Sequence, residues 1–500
     1  MTPIRIAPLA ATLLSGLLAP AAWAQDDTLR IVTPYHVTTL DPIRSAAAGN
    51  IELFGQLYAR LLRKTPEGEL EPGLAESWEA SEDGLTYSFE LREASFSDGT
   101  PIEASDVAFS LNRVASDPES AYPAAYASVE EVVAVDEDTV ELRLSAPSAP
   151  ILSYMEIFNA GIVSSDDVEA RGEGAFASDP VVSGPYQVEE WRPNDRLILA
   201  ANPEFWREGL PRIGRVEMIE VEDPNTRTSM IEAGEVDVAV DVQWSQVERL
   251  RGLDGITVPL EPSTWINVVL LNHDAEPFSE LAARRAAVMA LDRQGVADAI
   301  TLGNAEVAGS ILPASLDFVV PQEAPETDPA AARALLQEAG LEGAEVTVMA
   351  TPGSQQTAQI LKALWNAAGF SVTIDQIDGG TFWERLPAGD YDAVPSSWYN
   401  ETEDPDLAVR WALCGTYGNR AFYTNYRNDR VDELTEAALR ETDPDARAEM
   451  YAEIQRITME EVTNIPLYDR PFVIAYRDRV EGLRLTPSLQ WTLEEAELAE

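Results

Sequence analysis

The sequence predicts an α/β protein of two lobes, with a smaller β-rich insertion in the first. Three patterns carry this reading. Residues 345–377 run strand, helix, strand, the unit of a parallel sheet. Residues 216–240 run in the same order. Between the N-terminus and this second pattern, Thr86–Leu91 and Thr139–Leu144 alternate apolar and polar residues with period two, the mark of half-buried strands.

The elements follow in chain order. Met1 to Ala24 reads as a targeting segment: Arg5 is its positive charge, 9–18 its apolar run, and Ala22-Trp23-Ala24 an A-x-A cleavage pattern before Gln25. No lipid-accepting cysteine follows the cleavage site, where Gln25 stands, so a free exported protein is expected rather than a lipoprotein. Thr28–Thr33 is a short strand and 34–42 a loop. Ile51–Leu62 is expected to be a helix, because Ile51, Phe54, Leu57, Tyr58, Leu61 and Leu62 share one face. Ser97–Thr100 carries turn residues, and a helix over 105–114 is expected to start at a Ser/Asp cap. Strands over 184–188 and 197–200 flank a turn at 193–195. A strand at 216–221, a helix ending at Gly234 and a strand at 236–240 come next. Ile266–Leu271 is a strong strand, and 277–299 reads as one Ala-rich helix. Asp328 caps a helix whose first position suits Pro329 and whose stop is Gly340. The strand–helix–strand unit of 345–377 includes a helix closed by Gly369. Asp404-Pro405-Asp406 reads as a helix start, Asp443-Pro444 opens a helix to about 462, and strands are expected at 472–476 and 483–485.

Composition removes whole classes of function. The 500 residues carry 35 Lys+Arg against 86 Asp+Glu, a formal charge of −51, which argues against a nucleic-acid partner. Hydrophobic residues at 45% and charged residues at 24% are globular proportions, not those of disorder. A single cysteine, Cys414, permits neither an intrachain disulfide nor a cysteine-based zinc site. The two histidines, His36 and His273, are far apart in sequence, and neither a G-x-S-x-G nor an HExxH motif occurs. No catalytic residue, metal or cofactor is therefore expected, and an exported hydrolase is the weakest alternative.

The motifs then carry a family resemblance. Gln56–Leu62, Leu74-Ala-Glu-Ser-Trp78, Leu85–Arg92, Phe96–Thr100, Ser183-Gly-Pro-Tyr186, Ala290-Leu-Asp-Arg293, Glu338-Ala-Gly340, Asp404-Pro-Asp406 and Ile465-Pro-Leu-Tyr468 together resemble the peptide/nickel class of extracytoplasmic solute-binding proteins that serve ABC importers. The resemblance spans the chain after residue 24, in order. It implies the two-lobed periplasmic-binding-protein fold with a subdomain inserted in the first lobe. Lobe I would be 25–45 with 176–263 and 471–500, the insertion 46–175, and lobe II 264–470, with hinge crossings near 262–264 and 469–471. It implies a monomer in the periplasm that passes a small peptide, or an amine-bearing relative, to an inner-membrane permease and ATPase complex. An oligosaccharide, an opine or another amino-acid derivative is the alternative cargo, and a sensor role the alternative use.

Site residues follow from the same likeness. In the peptide-binding relatives an acid in the loop after Trp398-Tyr399-Asn400 holds the ligand's α-amino group, and Glu401 matches it in position, although the relatives usually carry Asp. A carboxylate in a closed cleft makes a charge-assisted hydrogen bond to an ammonium. Trp398, Tyr399 and Trp383 are candidate stacking platforms. Trp265 lies where the chain crosses between lobes, and Tyr35 and His36 follow the first strand at its cleft end. Arg410, Arg420 and Arg427 could receive a carboxylate, though pairing with surface acids accounts for them more simply. The lone histidines argue against the nickel-binding branch.

Overall fold

A computed structural model describes residues 27–65, 69–322, 326–417, 421 and 423–499. The expected targeting segment and Arg420 lie outside these residues. Three sheets organise the rest. The first lobe is built on a seven-stranded sheet in the spatial order Ile256–Thr257, Ala475–Arg477, Val238–Ala239, Thr28–Thr33, Arg215–Glu220, Arg196–Ala201 and Tyr186–Arg192. Thr28–Thr33 lies between Arg215–Glu220 and Val238–Ala239 and is parallel to both. The strand–helix–strand reading of 216–240 is therefore correct in kind, but its two strands flank the first strand instead of pairing with each other. The connecting helix, Pro224–Ala233, is capped by Asp223 and stops at Gly234, whose φ of 74° is the left-handed geometry that glycine adopts without strain.

The second lobe holds a five-stranded sheet in the order Ser371–Gln376, Glu345–Ala350, Ala393–Tyr399, Trp265–Leu271 and Asn464–Asp469. Glu345–Ala350 and Ser371–Gln376 pair in parallel, joined by the helix Gln355–Ala368. Trp265–Leu271 is an interior strand, and its alternation divides two cores. Val269 and Leu271 enter one, with Trp365 and Phe278; Ile266, Val268 and Leu270 enter the other, with Trp398 and Tyr451. The β-rich insertion is a four-stranded antiparallel sheet in the order Ala75–Ala80, Thr86–Leu91, Thr139–Leu144 and Val129–Ala134, covered by the helix Ala104–Ser116.

Two stretches of chain link the large sheets, and they run side by side. Leu260–Glu261 pairs antiparallel with Phe472–Val473, and Ile266 stands opposite Asp469 one step further on.

Several local expectations need correction. The first helix is Ala48–Leu57, not 51–62: at Tyr58 the chain turns extended, and Leu61 and Leu62 enter the core of the inserted subdomain. Gly184 N donates to Leu57 O at 2.8 Å, taking a carbonyl that continued helix would have used. The helix over 104–116 starts at Glu103, whose backbone N donates to Asp106, rather than at a Ser/Asp cap. Residues 277–299 form two helices, Leu281–Met289 and Arg293–Thr301, because Asp292 caps the second by accepting from Gly295 N at 3.0 Å. Residues 472–476 divide between two sheets, and Leu485 makes only an isolated bridge to Trp491. Ala393–Tyr399 and the helices Gly379–Ala388 and Asp429–Arg440 occupy a stretch where the sequence suggested no element apart from the helix start at 404–406.

Candidate ligand-binding cleft

The ends of two neighbouring strands bring the first candidate residues together. Trp265 opens its strand and Tyr399 closes the strand beside it, directly opposite. Their rings lie 5.4 Å apart at 51°. The Arg470 guanidinium, from the returning hinge crossing, sits 4.4 Å over the Trp265 ring, a cation–π contact, and its Nη2 stands 2.7 Å from Asp241 Oδ1 of the first lobe. The Tyr399 hydroxyl donates to Ala46 O at 3.0 Å, immediately before the first helix. Trp265 Nε1 is buried with no hydrogen-bond partner, an unused donor in this wall.

Tyr35 packs against the core of the first lobe at the carboxyl end of the first strand, and burial pushes its phenol well above the ordinary range. The neighbouring Gly49 is required by close approach: a Cβ there would stand 2.6 Å from His36 O. His36 is tied down within its own lobe. Its Nδ1 lies 2.7 Å from Glu220 Oε2 and its Nε2 3.2 Å from Glu222 Oε1, and the Glu220 hydrogen bond is the main cause of its raised pKa.

Glu401 is 4% exposed, and the Tyr122 hydroxyl of the inserted subdomain donates to its Oε1. Tyr122 is itself fixed edge-on against Phe158, 5.6 Å away at 87°. No Lys, Arg or His lies within ion-pair distance of Glu401 among the described residues, and burial pushes its carboxyl up to about 7. Around it the loop is held by its own hydrogen bonds. Asn400 Nδ2 donates to Thr402 O and Asp404 O, both at 2.7 Å. Asp404 forms a bidentate pair with Arg447 and also accepts from Asp406 N at 2.9 Å, at the start of the helix Asp406–Ala412. The Tyr154 hydroxyl donates to Asp406 Oδ2 at 2.5 Å, a second link to the inserted subdomain.

The structure brings Tyr35, Trp265, Tyr399 and Glu401 to the junction of the lobes, and it separates the other candidates from that group. Trp398 and Tyr399 belong to a strand, not a loop, so they face opposite sides, and Trp398 is 3% exposed in the second-lobe core. The Asn400 side chain is consumed in shaping its loop. Trp383 is 66% exposed on its helix, beside Phe382, and is neither core nor cleft wall. Arg410 is no free receptor for a carboxylate: it is buried, paired with Asp406, and donates to Ala124 O, Tyr154 Oη and Tyr417 Oη at 3.1 Å each. Arg427 pairs with Asp274 at the surface. Sequence reasoning missed Tyr122, whose only signal is a Tyr in an unremarkable loop. It also missed the Arg470–Asp241 contact, although Arg470 falls inside the expected crossing.

Comparisons with known proteins bear on the family and the fold. The family described as bacterial extracellular solute-binding proteins, family 5 Middle, matches residues 69–419. The di/tripeptide-binding protein 2 of Pseudomonas aeruginosa (strain UCBPP-PA14) is 28% identical over 510 residues, covering 95% of this chain and 96% of its own. The glutathione-binding protein GsiB of Escherichia coli (strain K12) is 26% identical over 501 residues, with 97% of each chain covered. Among solved structures, a dipeptide-binding protein from Pseudoalteromonas sp. SM9913 in complex with Met-Leu superposes with a TM-score of 0.83 at 25% identity, covering 94% of this chain and 100% of that one.

Proposed function

The chain belongs to the bacterial extracellular solute-binding proteins of family 5, and from that premise we propose that it captures a short peptide with a free amino terminus and hands it unaltered to an ABC permease. The observation that carries the peptide reading is Glu401. A carboxylate removed from water without a cation is costly, and here a tyrosine hydroxyl and a backbone N–H offset only part of the cost. A ligand ammonium supplies the missing charge and is itself held more strongly because the site is dry. Tyr35, Trp265 and Tyr399 give the apolar walls. The relatives named for di- and tripeptides and for glutathione, itself a peptide with a free amine, support the same class of cargo.

The two crossings act as the hinge, and the lobes close over the peptide as rigid bodies. The protein works outside the cytoplasm as a free monomer released by cleavage after Ala24. Among the described residues no helix is long and apolar enough to cross a membrane.

The test is calorimetry with a tripeptide and its N-acetyl derivative. Acetylation removes the charge that Glu401 receives and is expected to weaken binding by about 1.5–3 kcal/mol, the range of a charge-assisted hydrogen bond. Equal affinity for both would falsify the amine-anchoring role. Recovery of the tripeptide intact after denaturation is the expected fate of the ligand, and hydrolysed product would overturn the transport reading.

A further inference from the structure

A cavity lies apart from the candidate cleft residues. It encloses about 290 Å³, at the small end of ligand pockets, which span about 300–1,000 Å³. None of the candidate cleft residues lines it. Its walls come from both lobes: the chain just after the first helix, the C-terminal stretch around Gln490, and from the second lobe Ser315, Asp317 and Glu403.

Two polar groups in its walls are incompletely used. Glu156 is 3% exposed, and its Oε1 has no hydrogen-bond partner. The nearest cation, Lys64 Nζ, stands 3.7 Å away and is committed to Glu403. Arg60 donates from Nη1 alone, to Glu156 O at 2.7 Å and to Gln490 Oε1, while its Nε and Nη2 have no partner among the described residues and no carboxylate is within ion-pair distance. One buried acceptor without a donor and one guanidinium with its remaining donors free are complementary halves of a receptor. A molecule carrying only one charge would answer only one of them.

We propose that this cavity is a second binding site, taking a small zwitterion of the amino-acid class, with its carboxylate on Arg60 and its ammonium between Glu156 and Glu403. The site is complete only when the lobes are together, because Glu403 and Asp317 reach it from the second lobe. It also adjoins the hinge. Ser315 Oγ donates to Ser263 O at 2.7 Å, and Thr264 N donates to Pro487 O at 3.0 Å. An amino acid bound here stabilises the closed state and, by linkage, tightens whatever occupies the main cleft. The proposal does not depend on what that cleft takes.

Crystals of the whole protein soaked with L-selenomethionine locate the ligand through the anomalous selenium signal. A selenium peak in this cavity, with the amino-acid carboxylate on Arg60, is expected. In solution, calorimetry with L-alanine is expected to give binding at least tenfold tighter than with ethylamine or propionate, and Glu156→Gln is expected to weaken it at least tenfold. Arg60→Lys is the second variant, and Glu156→Gln alone decides if Arg60→Lys does not fold. Selenium only in the interlobe cleft or nowhere, propionate or ethylamine binding as tightly as alanine, or unchanged affinity in Glu156→Gln overturns the proposal and leaves the peptide reading standing.

Discussion

Glu401 sets the pH behaviour expected of the cleft. Its carboxyl is pushed up by burial from 4.5 to about 7 in the folded protein. Below about pH 4.5 it is protonated in both folded and unfolded chains and costs nothing. Between 4.5 and 7 the unfolded chain releases the proton while the folded one keeps it, so stability falls as pH rises. Above 7 the loss levels off, at on the order of 3 kcal/mol. Glu156, also raised to about 7 by burial, and Glu52, raised by burial to about 8, act in the same direction. The melting temperature of the ligand-free protein is therefore expected to fall from pH 5 to 8, and Glu401→Gln to flatten part of that fall. Binding of an amine reverses the preference and favours the ionised acid. Peptide binding at pH 6 is expected to release a proton, visible as a dependence of calorimetric enthalpy on buffer ionisation heat, and Glu401→Gln is expected to abolish that release. Tyr122→Phe strips the acid of its donor and is expected to cost about 1–3 kcal/mol in urea denaturation. The sequence placed Glu401 by its neighbours, but nothing in it joined residue 401 to residue 122. That pairing exists only because the inserted subdomain folds over the second lobe.

The 400–410 segment is the element on which the site rests. It begins at a strand end, turns through a loop that Asn400 braces from within, and enters a helix. Asp404 fixes it to Arg447 on the long helix Pro444–Glu460, where both partners are buried. Arg447→Met is expected to cost about 3–5 kcal/mol, since it leaves Asp404 buried and unpaired; a shift of less than 1 kcal/mol in urea denaturation would show that the loop does not depend on this pair. The helix carrying Trp383 has no such tie to the cleft, and Trp383→Ala is expected to leave peptide affinity within experimental error and stability within about 0.5 kcal/mol. At this scale the sequence reads well where local chemistry decides. Asp328-Pro329 begins a helix and Gly369 ends one, as their side chains and φ require. It reads poorly at 277–299 and 51–62, where apolar periodicity continues past the point at which a cap or a partner strand redirects the chain.

For the whole molecule, contacts between the lobes are few in kind but well distributed. Tyr399 reaches Ala46, Glu401 reaches Tyr122, Asp406 reaches Tyr154, and Leu407 enters the core of the inserted subdomain. In the proposed hinge opening all of them meet water, so burial would add to ligand in favouring closure. The radius of gyration from X-ray scattering is expected to fall when peptide is added. Arg470→Ala removes the contact from the hinge crossing to Asp241 and is expected to shift the ligand-free protein towards the open form. An unchanged radius on saturation with peptide would speak against hinge closure. The charge of −51 adds repulsion between the lobes, and screening it with salt is expected to favour the compact form.

The sequence by itself determined the α/β class and the family likeness, because periodicity, caps and motif spacing are written in neighbouring residues. Only the tertiary structure decided that Trp398 and Arg410 are interior, that Trp383 stands in solvent, that Tyr122 meets Glu401 and that Arg470 meets Asp241. Those outcomes depend on which face of a strand meets which lobe, and that is fixed by contacts between residues far apart in the chain, 279 positions for Tyr122 and Glu401 and 286 for Ala124 and Arg410.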